Sequence, residues 1–398
     1  MITVIGYDGR PLPDQARAAV AGAGLVVGGA RHLESVGVPP GARTVVMGDV
    51  RDAVEQLRAH SAGAGGSGDA VVLASGDPGF FGIVRRLRAA NLPVTVVPAV
   101  SSVAQAFARV GIEWDDALVV SAHGRDPRAA LNACRRFSKV AVLTDAATGP
   151  REIAAAVPGR RLVVAERLGE PDERVVELPA EQVAARDRWR EPNVVLVLGD
   201  EPASEPGRIA GGDVVPRDGW ALPDAAFEHR DGMVTKAEVR ALVLARLAPR
   251  PGALVWDVGA GSGAVGIECA RFGAAVCAVE RDVDSVQRIF RNASRHGVRL
   301  DVISGAAPEA LAGLPEPDAI FVGGGGADVV SACAERRSPR LVAALATLDS
   351  VTRVTAVMHI AGYQAQSVML QAARLRPLGD GTGLAAQNPV FVVSGRRS

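Results

Sequence analysis

Short valine-rich runs alternate with longer Ala/Arg/Leu segments of helical period in two stretches of this chain, separated by one interval that carries neither pattern. Apolar runs of strand length alternating with helical segments point to parallel sheets covered by helices. In the first stretch the expected strands are 3–5, 25–27, 70–74, 94–97, 117–120, 141–143, 162–165 and 194–198, with helical connections containing 32–35, 50–60, 82–90, 103–110 and 129–134. In the second, helix 236–247, strand 254–258, helix 264–272, strand 275–280, helix 283–296 and strands 300–304 and 319–322 form a fresh mononucleotide-binding half. The interval runs from Asp200 to Pro223, where Pro202, Pro206, Gly211, Gly212, Pro216, Gly219 and Pro223 interrupt both periods. A chain of 398 residues also exceeds the ~250–300 at which one core stops growing. The expected organisation is therefore an α/β domain over 1–205, a linker over 206–222 and a second α/β domain over 223–398. The run AGAGGSG at 62–68 cannot bury area and is expected to be a surface loop.

Charge and composition narrow the partners. Forty-four basic and 44 acidic residues leave a formal net charge of +0, and no block of like charge marks a nucleic-acid arm. Four cysteines, Cys134, Cys269, Cys277 and Cys333, lie far apart without paired ligand spacing, as expected of reduced buried thiols with no metal or disulfide role. The N-terminus enters an apolar strand without a basic n-region, and no apolar run approaches the ~20 residues of a membrane helix. A cytoplasmic, membrane-free protein is expected.

The densest chemical signal is Trp256-Asp257-Val258-Gly259-Ala260-Gly261-Ser262-Gly263, between an expected strand and an expected helix. Glycines at such a turn let the backbone approach a ligand. A dinucleotide fingerprint would read G-x-G-x-x-G, with its glycines arranged around a pyrophosphate. Here the run is D-x-G-x-G-x-G, so Asp257, Gly259, Gly261 and Gly263 are candidate contacts to a cofactor that lacks a pyrophosphate. One crossover later Glu280 ends the second strand, where a carboxylate either accepts the ribose hydroxyls of an adenosine or is an exposed strand-end charge. Gly323 to Gly326 follow the last expected strand and are either a plain loop or a wall of the site.

These motifs resemble the class I S-adenosylmethionine (SAM)-dependent methyltransferases. The resemblance becomes narrower through Phe227-Glu228-His229-Arg230-Asp231-Gly232-Met233-Val234-Thr235-Lys236, which is similar to the F-E-H-D-G-x-[IL]-T-K segment of the decarboxylating corrin methyltransferases. Gly305-Ala306-Ala307-Pro308 and Phe321-Val322-Gly323 follow in that family's order. Two departures stand out: Arg230 is an extra residue, and Ala306 replaces the aspartate that would reach the adenine amine. The resemblance implies catalytic roles for His229 and Thr235 and cofactor contacts at Ala306 and Gly323. A lone turn histidine such as His229 is more often solvated or hydrogen-bonded to a neighbour than a proton donor.

In the first stretch three turns each follow a strand: Gly6-Tyr7-Asp8-Gly9, Ser75-Gly76-Asp77-Pro78 after the third expected strand, and Ser101-Ser102. Each alone is an ordinary turn composition. In this order they resemble class III tetrapyrrole methyltransferases, and Gly28-Gly29-Ala30-Arg31-His32-Leu33 with Ser121-Ala122-His123-Gly124-Arg125 is similar to the C5-methylating corrin branch. The resemblance implies cofactor contacts at Gly6, Asp8, Gly9, Ser75, Gly76, Asp77, Pro78, Ser101 and Ser102. It also implies a fused enzyme with two SAM sites, a class III domain followed by a class I Rossmann-like domain. Such an enzyme methylates precorrin-6Y at C5 and C15 with loss of the ring C acetate carboxyl, and self-associates as a homo-oligomer. Arg125 and Arg281 are candidate anchors for the substrate's carboxylates. The competing reading is a SAM-dependent RNA methyltransferase, which the balanced charge and the 4% aromatic content disfavour.

Overall fold

Strands β1 (Ile2–Tyr7), β2 (Ala23–Gly28), β3 (Arg43–Val46), β4 (Asp69–Ser75) and β5 (Val94–Val97) form a parallel sheet in the order β3-β2-β4-β1-β5. The computed structural model describes residues 1–63, 68–124, 126–199, 218–230 and 234–397. Helices α1 (Asp14–Ala21), α2 (Ala30–Val36), α3 (Val50–Ser61), α4 (Val84–Ala89) and α5 (Ser102–Val110) connect the strands. Val4 and Val27 are buried on one face and Ile5 and Val26 on the other, which explains the unbroken apolar runs. Ser101 starts α5 by accepting the Ala104 amide at 3.1 Å, as an N-cap does.

A second sheet, in the order β6-β7-β10-β8-β9, contains β6 (Leu118–Ser121), β7 (Lys139–Leu143), β8 (Arg161–Glu166), β9 (Arg174–Pro179) and β10 (Asn193–Leu198). The same stretch of chain carries α6 (Arg128–Arg136), α7 (Pro150–Ala156) and α8 (Ala180–Ala185). The third sheet, in the order β13-β12-β11-β14-β15-β19-β16, carries the remaining chain. Its strands are β11 (Leu254–Val258), β12 (Ala275–Glu280), β13 (Asp301–Ser304), β14 (Ala319–Val322), β15 (Arg340–Leu345), β16 (Gln364–Leu370) and β19 (Val390–Arg396), and a hairpin of β17 (Ala373–Leu378) and β18 (Gly381–Ala386) lies between the last two in sequence. Helices α9 (Ala237–Leu247), α10 (Ala264–Arg271), α11 (Val283–Arg295), α12 (Gly326–Ala334) and α13 (Leu348–Ile360) accompany this sheet. Alternate residues of β11 feed its two cores: Leu254, Trp256 and Val258 enter one, and Val255 enters the other.

Several expectations are corrected here. The sheets are not wholly parallel: β8 pairs antiparallel with β9 and β10, and β19 with β15 and β16. The connection from β8 to β9 is too short for a crossover, which needs a dozen or more residues. Strands β3 and β9 carry no long apolar run because much of their surface is half-exposed or exposed, and β3 makes the Ser75 turn follow the fourth strand, not the third. Helices α1, α7 and α8 and all elements beyond Gly326 also go unannounced in the periodicity.

The molecule divides into two compact units, one comprising 1–114, 121–125 and 141–198, the other 115–120, 126–140 and 199–398. Residues 126–140, within the expected first domain, thus group with the second unit. Most of the expected linker, part of the 62–68 loop, Arg125 and the Asp231-Gly232-Met233 portion of the family segment fall outside the described residues. Among the described residues no helix is long and apolar enough to cross a membrane. All four cysteines are buried, and burial pushes the Cys277 and Cys333 thiols up to about 12.

Candidate active site

In the second unit, the chain leaves β11 toward β12 and β13 on one side and returns to β14 on the other, so a crevice opens at the C-terminal ends of β11 and β14. Gly259, Gly261 and Gly263 carry φ of +70°, +58° and +76°, a conformation L side chains rarely adopt. The Gly259 loop and the Gly323 loop touch: a Cβ on Gly259 would stand 3.0 Å from the Gly324 nitrogen, and the Gly323 amide donates to the Val258 carbonyl at 2.8 Å. Gly261 alone of the three has open space around it, so it is the glycine a ligand can approach. Gly263 lies against Ile289 of α11, where it serves helix packing.

Glu280 is 9% exposed and ends β12. One carboxylate oxygen accepts the Gly261 amide at 2.8 Å and the other the Asp282 amide at 2.9 Å, and each keeps a lone pair. A cavity of about 570 Å³ opens here, lined by Gly261, Ser262 and Glu280 and by three arginines, Arg230, Arg281 and Arg288. Asp257 does not reach it. Its side chain is buried, one oxygen accepts the Gly266 amide at 2.8 Å, and the other has no partner among the described residues. Burial, with the Glu280 charge adding to it against the Gly266 hydrogen bond, pushes the Asp257 carboxyl up to about 7.

The segment preceding α9 is pinned to this site by residues that motif reasoning missed. Asn292 on α11 accepts the Glu228 amide at 2.8 Å and donates to the Glu228 and Ser262 carbonyls, each at 2.9 Å, joining the segment to the glycine loop. The signal was available: Ser285, Arg288 and Asn292 recur at helical spacing on the face of α11 nearest the loop. Arg240, fully buried, donates to Glu268 at 2.8 Å, to Asp224 and to the carbonyls of Leu222 and Thr235. Thr235 is therefore held through its carbonyl. His229 is half-buried beside Arg230, and Ala306 is exposed just after Gly305, whose amide donates to the Glu280 carbonyl at 2.9 Å.

In the first unit three strand ends converge. A Cβ on Gly6 would lie 2.3 Å from the Gly76 carbonyl oxygen and 2.7 Å from the Ala99 nitrogen, and one on Gly76 would meet Ser102 and Ser101 at 3.1 and 3.2 Å. Gly9, at φ +85°, abuts Gly169 in the β8–β9 connection, so the first turn also meets a segment that no sequence motif marks. Asp8 and Asp77 accept amides of their own turns, from Arg10 at 3.2 Å and Gly79 at 2.8 Å, while the Pro78 carbonyl faces Gly82. Ser75, exposed, pairs in register with Tyr7. A separate cavity of about 430 Å³ is lined by His123, Thr144, Asp145 and the Glu191-Pro192-Asn193 turn.

The tetrapyrrole (corrin/porphyrin) methylase family matches residues 9–184, and the precorrin methyltransferase domain family matches residues 225–397. A protein of a Sinorhizobium species, named precorrin-6Y C(5,15)-methyltransferase (decarboxylating), is 38% identical over 403 residues, which cover 97% of this chain and 93% of that protein. The chain belongs to the precorrin-6Y C5,15-methyltransferase (decarboxylating) family.

Two shorter relatives of this methyltransferase each match about half of it. A Pyrobaculum calidifontis protein, named probable cobalt-precorrin-6B C(15)-methyltransferase (decarboxylating), is 36% identical over 44% of this chain and 94% of its own length. A Salmonella typhimurium protein, named cobalt-precorrin-7 C(5)-methyltransferase, is 35% identical over 50% of this chain and all of its own length. The methyltransferase is thus a class III tetrapyrrole methylase domain followed by a Rossmann-like methyltransferase domain. Relatives of this kind over nearly the whole length leave the RNA alternative without support.

Proposed function

We propose that this enzyme methylates precorrin-6Y at C5 and C15 and releases the ring C acetate carboxyl as carbon dioxide, giving precorrin-8 for cobalamin biosynthesis. The observation that carries the reading is the match over 97% of the chain to a relative named for both methylations. The two half-length relatives, each named for a single methylation, support one activity per domain.

SAM, as methyl donor, fits the second unit. Gly261 leaves open space, the Glu280 oxygens keep lone pairs for two ribose hydroxyls, and the cavity of about 570 Å³ accommodates an adenosine. In this reading Gly261, Glu280 and Gly323 hold the cofactor, Asp257, Gly259 and Gly263 brace the loop behind them, and Ala306 leaves the adenine without a carboxylate partner. In the first unit Gly6, Asp8, Gly9, Ser75, Gly76, Asp77, Pro78, Ser101 and Ser102 hold the second molecule. When bound, SAM supplies a sulfonium-activated methyl group.

The remaining work is alignment. Meso carbons of a reduced tetrapyrrole are enamine-like nucleophiles, and positioning can supply ~7–11 kcal/mol. Arg230, Arg281 and Arg288 line the cavity and offer guanidinium forks to the acid side chains of the corrin. His229 and Thr235 flank the same loop as proton-handling candidates. The exposed Leu375, Leu378 and Leu384 on the β17–β18 hairpin support homo-oligomerisation, and the location proposed is the cytoplasm. Incubation with precorrin-6Y and SAM, followed by mass spectrometry, tests the reading: a gain of two methyl groups with loss of carbon dioxide is expected, and no change in substrate mass would sink it.

A further inference from the structure

A polar cluster in the first unit joins two of the motifs above, through side chains whose contacts no motif specifies. Arg31, at the start of α2, donates one guanidinium nitrogen to Glu170 at 2.6 Å and another to the Ser75 hydroxyl at 2.7 Å. His32 Nε2 lies 3.2 Å from the same hydroxyl oxygen. His32 is 7% exposed, packed edge-on against Tyr7 at 5.8 Å between ring centroids, and its Nδ1 is buried without a hydrogen-bond partner among the described residues. Ser75 itself is exposed at the C-terminal end of β4, one residue before the Gly76 that meets Gly6, Ser101 and Ser102.

Hydrogen-bond counting fixes what Ser75 can offer. A hydroxyl has one donor and two acceptor sites, and Arg31 can only donate, so it occupies one lone pair. The neutral imidazole has two arrangements. With its proton on Nδ1, a buried N–H would be orphaned; with its proton on Nε2, only a buried acceptor goes unmet, and orphaned N–H groups are the rarer of the two. The second arrangement fills both Ser75 lone pairs and turns its O–H outward. Burial, then the adjacent Arg31 charge, lower the His32 value to about 4, against a smaller opposing influence of Glu170, so the neutral form persists at working pH. Arg31 has five N–H donors, of which these two contacts use two. Glu170, the nearby acid, is already held by Arg31 and Arg167. The exposed corner therefore presents donors beside a guanidinium, which is a match for a carboxylate.

We propose that Ser75, held by Arg31 and His32, is the hydroxyl donor of a carboxylate-binding corner in the first unit, with His32 as its positioning residue. The carboxylate is that of the amino-acid end of the cofactor or one of the acid side chains of the corrin. The inference rests on the first unit being the C5-methylating one.

The test uses the full-length protein. Long-range proton–nitrogen spectra, with His32 assigned by its loss in His32→Gln, should show the Nε2–H tautomer unchanged from about pH 5 to pH 8; an Nδ1–H tautomer overturns the arrangement. Calorimetric titrations of SAM and of its decarboxylated analogue separate the two sources. If the cofactor carboxylate is the ligand, Ser75→Ala weakens SAM at one site by at least about tenfold and leaves the analogue unaffected. If the corrin supplies it, SAM affinity is unchanged and the KM for precorrin-6Y in C5 methylation rises at least about tenfold, with kcat within about twofold. His32→Phe should copy Ser75→Ala, whereas His32→Gln, which keeps an N–H donor near the Nε2 position, should stay near wild type. The urea unfolding profile and circular dichroism of the same samples report folding of the first unit. Wild-type values throughout for folded Ser75→Ala and His32→Phe proteins overturn the corner. Absence of C5 methylation in the wild-type protein would instead remove the activity assignment, and the calorimetric and spectroscopic arms would still judge the corner.

Discussion

At the scale of single residues, the site depends on carboxylates that the fold treats in opposite ways. Glu280 sits at the cavity with both oxygens holding loop amides, so Glu280→Gln removes one acceptor and the charge while keeping the shape. Charge-assisted hydrogen bonds contribute about 1.5–3 kcal/mol each, which predicts at least about tenfold weaker SAM binding at one of two calorimetric sites. C15 methylation should fall with it and C5 methylation persist; unchanged affinity at both sites would refute the ribose assignment. Asp257 is the buried counterpart. Its folded-state value of about 7 lies above the ordinary 3.8, so the folded protein holds a proton that the unfolded chain releases, and stability is lost as pH rises from about 4 to 7. Asp257→Asn keeps an oxygen for the Gly266 amide and should unfold at higher denaturant than wild type at pH 8, with the gain vanishing near pH 4. For His32 the sign is reversed. Its folded value of about 4 lies below the ordinary 6.5, so the stability it contributes is present above about 6.5 and lost as pH falls toward 4. His32→Gln should flatten that limb of the pH–stability curve.

Elements carry the second level of specification. The buried Arg240 of α9 gathers Glu268 from α10, Asp224 and two carbonyls of the segment ahead of α9, so it sets where Thr235 lies. Breaking a buried ion pair by removing one partner costs about 3–5 kcal/mol, because the remaining charge stays buried. Arg240→Met should lower the unfolding free energy by about that amount in urea titration, and a loss below about 1 kcal/mol would show that the network is dispensable. The same scale shows what periodicity can read. Strands β5, β11, β12 and β14 match their expected bounds residue for residue, since each is an apolar run closed by turn residues or a carboxylate. Edge strand β3 and strand β9 were invisible because a surface of a strand that faces water need not be apolar. The antiparallel placement of β9 and β19 came from connection length and hairpin geometry, which hydrophobic runs do not record.

For the whole molecule, the exposed leucines of the β17–β18 hairpin predict an assembly. Leu375, Leu378 and Leu384 are 74%, 62% and 64% exposed, an apolar load that a lone two-stranded ribbon does not bury. Replacing all three by Glu should shift the sedimenting species toward monomer without moving the urea midpoint; an unchanged sedimentation coefficient would place the interface elsewhere. By itself the sequence determined what depends on near neighbours: two α/β domains, left-handed glycines at the turn after β11, a carboxylate at the end of β12, and the order of motifs that marks the family. Tertiary structure decided which of those residues meet. The Asn292 clamp spans 64 positions and the Arg31–Glu170 pair 139, and His32 of α2 gains its buried surroundings only when Ser75 and Tyr7 arrive from two strands. Period, turn composition and helix capping are fixed by residues a few positions apart. Contacts of such separation follow instead from sheet order and register, which no local pattern contains.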